Sequence, residues 1–191
     1  MNLCFATNNA NKVKEIKQLV NSKYAIVSLA DIGCLEELPE TRETIEGNSA
    51  QKAQFVWEHY QTNCFADDTG LEVNALHGEP GVYSARYAGP ACSPEDNIKL
   101  LLSKMAGLPD RRATFRTCIT LIINGELHQF EGKAHGEILS KPQGIKGFGY
   151  DPIFRPEGFA KSFAEMTMEE KNGISHRALA VQALINHLNS L

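Results

Sequence analysis

Residues 113–123 carry Phe115, Ile119, Leu121, Ile122 and Ile123 among interspersed threonines, Asn124-Gly125 follows, and a second strand-like run extends through Phe130. β-Branched and aromatic residues favour extended backbone, and Asn-Gly supplies the left-handed conformations that a two-residue hairpin turn needs. A chain with this hairpin is neither all-helical nor built on a purely parallel sheet. Segments of other periods surround it. Leu3-Cys4-Phe5-Ala6 reads as a short buried strand, after which Val13, Ile16, Leu19 and Val20 fall at helical spacing. Asn63-Cys64-Phe65-Ala66 reads as another strand, expected to end at Asp67-Asp68-Thr69-Gly70, where polarity rises and a glycine turns the chain. A helix is expected after Gly47, with Ala50, Ala53, Trp57 and Tyr60 on one face and Asn48 and Lys52 on a more polar one.

Helix caps punctuate the second half. Ser93-Pro94-Glu95-Asp96 has a capping serine, proline at the first helical position and acids in the first turn, and Ile98, Leu101, Leu102 and Met105 supply the buried stripe. Thr167-x-x-Glu170 is a capping-box pattern that Gly173 would close, and Ser175 would cap a last helix along which Ile174, Ala178, Val181, Ile185 and Leu188 recur. The predicted fold is α/β: a mixed, partly antiparallel sheet with flanking helices, one domain over residues 1–191, the hairpin half forming a second lobe.

Composition narrows the function. A length of 191 residues suits a single domain, and a formal net charge of −4 leaves no basic footprint for long nucleic acid, so any nucleotide handled is small. No apolar run approaches the roughly 18 residues of a membrane span, and Met1-Asn2-Leu3-Cys4-Phe5 lacks the charged start and long apolar core of a signal peptide. A cytoplasmic location without a membrane partner is therefore expected. Cys4, Cys34, Cys64, Cys92 and Cys118 are odd in number and never form a C-x-x-C pair, which fits buried thiols in a reducing compartment rather than disulfides or zinc.

Four places hold residues with chemical potential. The loop Thr7-Asn8-Asn9-Ala10-Asn11-Lys12 joins a strand to a helix, where N–H groups of a helix start and a lysine can hold phosphate oxygens; it lacks the glycines of a Walker A loop, and Lys12 alone would be a solvated lysine. Asp67 and Asp68 are adjacent, so on extended backbone they point opposite ways: one serves a site and the other orients something behind it. Glu40, from a stretch that also holds Glu36, Glu37, Glu43 and Glu46, can add a second carboxylate to Asp68, a donor set that suits Mg²⁺; the bland alternative is a turn and a solvated acidic loop. His176 and Arg177 follow Ser175 in a first helical turn, where each cation opposes the helix dipole at about 0.3–1 kcal/mol, so they are either solvated or face an acceptor, with Lys171 just upstream. Gly147-Phe148-Gly149-Tyr150-Asp151-Pro152 places glycines around a phenylalanine, and Pro152 is expected to hold Asp151 out of the helical region, giving either a ligand platform or a tight turn with buried aromatics.

Taken in order, TNNANK at 7–12, LPE ending at Glu40, EGNSAQK at 46–52, ADDTGLEV at 66–73, GEPGVYSARYAG at 78–89, GFGYDP at 147–152 and EEKNGISHR at 169–177 resemble the Ham1-type inosine triphosphate pyrophosphatases. The resemblance implies an elongated mixed sheet in two lobes around a central cleft, a homodimer, and Mg²⁺-dependent hydrolysis of aberrant purine nucleoside triphosphates (ITP, dITP, XTP) to monophosphate and pyrophosphate; the sequence leaves Mn²⁺ open as a substitute metal. It further implies that Thr7, Asn8, Asn9, Ala10, Asn11 and Lys12 bind the triphosphate with help from Lys52, and that Thr69 belongs to the substrate loop. Glu40 and Asp68 would hold the metal, and Asp68 would also activate the water. Phe148, Gly149, Tyr150 and Asp151 would take the purine, with Lys171, His176 and Arg177 completing the pocket and Arg177 reading the 6-oxo group. Position 8 departs from the small residue common in the family, and Gly47-Asn48-Ser49 departs from the usual Glu-Asn-Ala. The rival enzyme reading, an aspartyl-phosphate phosphatase, normally needs D-x-D rather than adjacent acids, and a Nudix pyrophosphatase needs a long Glu-rich helix that is absent. A nucleotide-sensing module would keep the pocket without needing Asp68.

Overall fold

The computed structural model describes residues 2–19, 24–90 and 93–191; Met1, Val20 and Cys92 lie outside the described residues. Seven strands form one sheet: β1 (Asn2–Phe5), β2 (Ala25–Val27), β3 (Cys64–Val73), β4 (Pro80–Gly81), β5 (Arg112–Ile123), β6 (Glu126–Ile138) and β7 (Phe154–Pro156), in the order β2-β1-β3-β5-β6-β7 with β4 on β3. β1 runs parallel to both β2 and β3, whereas β3/β4 and β6/β7 are antiparallel, so the sheet is mixed. Five α-helices accompany it: α1 (Ala10–Leu19), α2 (Ile45–Tyr60), α3 (Pro94–Lys104), α4 (Met168–Asn172) and α5 (His176–Ser190). No helix among the described residues is long and apolar enough to cross a membrane.

The chain divides into two compact units. The first holds Met1–Asp68, Thr117–Gly132 and Arg177–Leu191; the second holds Thr69–Arg116 and Lys133–His176. In the first, Leu3, Phe5, Ile16, Phe65, Ile119 and Leu121 pack with the α5 residues Ala180, Val181, Leu184, Ile185 and Leu188. Phe5 and Phe65 stack at 4.5 Å, one residue beyond the strand pair Cys4 and Cys64. Burying side chains of this size contributes about 1.5–3 kcal/mol each, which fixes the register that presents the polar middle of β3. The second unit has its own core of Leu71, Ile98, Leu101, Phe115, Phe154 and Phe163.

Local signals set the boundaries well. Ser93 and Asp96 cap α3 reciprocally, and Thr167 and Glu170 do the same for α4. Asn124 and Gly125 take φ of 52° and 86°, the two left-handed conformations of the hairpin turn. Five expectations are corrected. The hairpin around Asn124-Gly125 lies in the first unit and not in a second lobe, because Ile119, Leu121 and Ile123 pack with β1 and α5. β3 does not stop at Asp67-Asp68 but runs on to Val73, because ladder pairing and internal ion pairs accommodate the acids within the strand. α2 begins at Ile45 behind a Thr44 cap, so Gly47 lies inside it. β6 continues past Phe130 to Ile138, paired with β7 beyond. Asp151–Ile153 form a single 3₁₀ turn, because Pro152 sits at its second position, where a missing N–H costs nothing.

Candidate active site

The first unit gathers a buried cluster of charge. Lys12 Nζ is 3.0 Å from Asp67 Oδ1; Lys52 Nζ is 2.5 Å from Glu40 Oε1 and 3.6 Å from Asp68 Oδ1. The Arg177 guanidinium donates through Nε to Asp67 Oδ2 at 3.2 Å and through an Nη to Glu15. Asp67 and Asp68, adjacent on β3, thus serve opposite sets of partners, as successive strand residues must. The two residues that open the last helix also find their explanation: Arg177, 1% exposed, faces acceptors, and His176 stacks on Phe115 at 4.5 Å within the second unit.

Burial alone would lift Asp67, but Lys12, Arg177 and Lys52 outweigh it and hold the carboxyl well below the usual range. Asp68 goes the other way: burial raises it, Glu40 and Asp67 add to the rise, and Lys52 and Lys12 offset only part. Burial also lowers the Lys12 amine despite Asp67, whereas at Lys52 the carboxylates Asp68, Glu40 and Asp67 overcome burial and raise it. The two neighbouring carboxyls are therefore shifted in opposite directions, a split that suits acid–base work.

Loop and helix details place the other predicted residues. Thr7 Oγ1 accepts from Asn9 N at 3.2 Å, and Asn9 Oδ1 accepts from Asn11 N and Lys12 N at 3.0 and 3.3 Å, so this loop caps α1 with its own side chains. Asn8 and Ala10 are exposed. Glu36, Glu37, Glu40 and Glu43 of the acidic stretch are all exposed, and among them Glu40 is the one paired with a buried lysine. Thr69 follows Asp68 on β3, half-buried.

The second unit holds the glycine-rich loop. Asp151, 2% exposed, accepts at Oδ2 from Phe148 N at 2.9 Å and from Lys171 Nζ at 2.7 Å. Lys171 Nζ also lies 5.2 Å from the centre of the half-buried Phe148 ring. A Cβ on Gly147 would meet Asp151 Oδ2 at 2.1 Å, and its φ is +74°, so only glycine permits this closure. Gly149 also takes a positive φ, at 59°. Tyr150 is a core residue, its hydroxyl donating to Ser84 O at 2.9 Å.

One residue of the first cluster carries no signal that sequence reasoning used, and a second was read only as a helical neighbour of Lys52. Glu15 sits beside the apolar stripe of α1 and only the fold brings Arg177 to it, 162 positions away. Asn48 was legible as sharing a face with Lys52; its Nδ2 donates to Asp68 Oδ2 at 3.4 Å.

The profile of the Ham1 family matches residues 3–187. The chain belongs to the Ham1 family. A dITP/XTP pyrophosphatase of Flavobacterium johnsoniae is 52% identical over 190 residues, covering 100% of this chain and 99% of that protein. A dITP/XTP pyrophosphatase of Porphyromonas gingivalis is 52% identical over 187 residues, 97% and 96% of the two chains. The solved Ham1 protein of Staphylococcus aureus matches with a TM-score of 0.92 at 37% identity, covering 100% and 99%. The departures from Ham1 usage have local causes. Asn8 is exposed and displaces nothing. At Gly47 a Cβ would lie 2.8 Å from Arg42 Cβ, which leaves no room for a side chain. The Ser49 hydroxyl, fully buried, lies 3.0 Å from Ala66 O and 2.9 Å from Thr120 Oγ1, bonding α2 to the strand just ahead of the aspartates.

Proposed function

We propose that this protein hydrolyses the aberrant purine nucleoside triphosphates dITP, ITP and XTP to the monophosphate and pyrophosphate, clearing them from the nucleotide pool of the cytoplasm as a homodimer. The observation that carries this reading is Lys52 joining Glu40 and Asp68, two carboxylates from separate segments brought to one buried ammonium. With every group ionised, the three cations and four carboxylates of the cluster leave a net negative charge that would repel a triphosphate. A divalent metal reverses that balance, and paired carboxylate oxygens are the donors Mg²⁺ prefers, with Mn²⁺ able to substitute. Glu40 and Asp68 would hold it; when bound, it neutralises phosphate charge and lowers the pKa of water.

Asp68 takes the proton of the attacking water as oxygen adds to the α-phosphorus and the bond to the bridging β-phosphate oxygen breaks. Lys12 and Lys52 neutralise the departing pyrophosphate, and Thr7, Asn8, Asn9, Ala10, Asn11 and Thr69 line the triphosphate. Asp67 holds Lys12 in place. Phe148, with Gly149 and the loop that Tyr150 and Asp151 anchor, offers the purine its ring. A 6-oxo purine presents acceptors at O6 and N7, whereas adenine presents a donor at position 6. Lys171, beside the Phe148 ring, is a donor suited to the first and repelled by the second. Arg177, the other candidate for the base reading, is engaged by Glu15 and Asp67 as Lys171 is by Asp151, and His176 stacks on Phe115.

Replacing Phe148 by alanine is expected to raise KM for dITP by about 10-fold, since aromatic stacking on a base is worth about 1–3 kcal/mol. Steady-state kinetics on dITP measure it. An unchanged KM would remove Phe148 from the substrate site.

A further inference from the structure

Glu40 lies on an irregular stretch, outside any helix or strand, while Asp68 lies inside β3. A pair of metal carboxylates works only if their separation is held, so something must fix the Glu40 segment relative to β3. The side chains that do so all come from one face of α2. Gln51 grips Thr41, the residue after Glu40, at two points: its Oε1 accepts from Thr41 N at 2.9 Å and its Nε2 donates to Thr41 Oγ1 at 2.9 Å. Asn48, buried, accepts from Arg42 N at 2.9 Å with Oδ1 and donates from Nδ2 to Asp68 Oδ2 at 3.4 Å. Its amide orientation is forced, because the Arg42 N–H needs an acceptor and the carboxylate needs a donor. Lys52, at i+4 from Asn48, adds the ion pairs to both carboxylates.

Ordinary anchoring of a loop to a helix would be met by Gln51 alone. The second bond of Asn48, to the strand carboxylate itself, makes the arrangement a gauge between the two carriers. We propose that Asn48 and Gln51 are positioning residues that set Glu40 against Asp68 for metal binding. This rests on the assignment of Glu40 and Asp68 as metal carboxylates in the reading above.

The test titrates Mn²⁺ alone into the nucleotide-free protein, following free Mn²⁺ by electron paramagnetic resonance, for wild type, Gln51→Ala, Gln51→Glu and Asn48→Ala, with the melting temperature recorded for each. Outer-shell partners of metal ligands are typically worth 10–100-fold in affinity, so Gln51→Ala is expected to weaken Mn²⁺ binding by about 10-fold. In the pyrophosphatase assay it raises the Mg²⁺ needed for half-maximal rate by a similar factor. Gln51→Glu restores both, because the glutamate still accepts from Thr41 N and the Thr41 hydroxyl then donates to it. Asn48→Ala weakens binding at least as much; if it does not fold, the Gln51 pair decides. A Gln51→Ala protein that melts lower yet binds Mn²⁺ as wild type does would reduce these residues to loop anchors and overturn the proposal. Should wild type bind Mn²⁺ but leave dITP and XTP intact, the functional reading fails while the titration still decides the positioning.

Discussion

Asp68→Asn lowers kcat for dITP by about 10³-fold, within the range that loss of a general base produces, and leaves the protein folded. The substitution keeps the shape of the side chain and its acceptor toward Asn48, but removes both the proton acceptor and a metal carboxylate. Stability responds in the opposite direction from activity. A carboxyl whose folded pKa is raised binds its proton more tightly in the folded state, so its ionisation costs stability as pH rises. Burial, with Glu40 and Asp67 nearby, puts Asp68 in that class. The asparagine variant is therefore expected to melt no lower than wild type at neutral pH. Kinetics and a thermal melt on the same preparation check both statements. A variant retaining more than about a tenth of wild-type kcat would remove Asp68 from the role of base.

Arg177→Met is the opposite case, a large loss of stability. The guanidinium lies between Glu15 and Asp67, with all three side chains buried. Removing one partner from a buried ion-pair network typically costs 3–5 kcal/mol, because the remaining charges stay buried and uncompensated. Lys12 still pairs with Asp67, but Glu15 loses this cation while its side chain stays buried next to Ile16 in sequence. The pH dependence has a definite sign. Asp67 is depressed against the effect of burial by Lys12, Arg177 and Lys52, so its contribution is present above the unfolded value of about 3.9 and lost as pH falls through the folded value. Without Arg177 that depression weakens. The gap between variant and wild type is then widest near pH 7 and narrows towards pH 4, as the stranded carboxyls take up protons. Urea denaturation at both pH values measures it, and a loss below about 1 kcal/mol at pH 7 would show that the guanidinium is not what holds this cluster together.

Sequence and structure agree where the physics is local. The hairpin turn, the reciprocal caps at Ser93 and Thr167 and the opposed directions of Asp67 and Asp68 all depend on neighbours within four positions. Polarity misled at β3, because the charges of Asp67 are met by Lys12, 55 positions away, and Arg177, 110 away, and a strand carrying paired acids need not stop. Gly47 looked like a helix boundary, since glycine often is one; it sits inside α2 because Thr44 caps the helix ahead of it, and Arg42 crowds the position its Cβ would take. Lys52 and Asn48 were legible as a shared helical face, though not as buried. Glu15 was not legible at all, as a single acid beside an apolar stripe reads as solvated until the partner helix is in place. In the glycine-rich loop, motif and spacing brought Phe148 and Asp151 forward. Only the coordinates give the reason Gly147 must be glycine, which is the Asp151 carboxylate in the space its Cβ would fill.

The central claim is the bond cleaved and the base chosen, and one assay addresses both. The purified protein with Mg²⁺ is given dITP, ITP, XTP, GTP or ATP, and pyrophosphate is resolved from orthophosphate. Pyrophosphate and the monophosphate from dITP, ITP and XTP, with ATP nearly untouched, is the predicted result. Orthophosphate as the product would contradict it, as would equal rates on ATP and dITP.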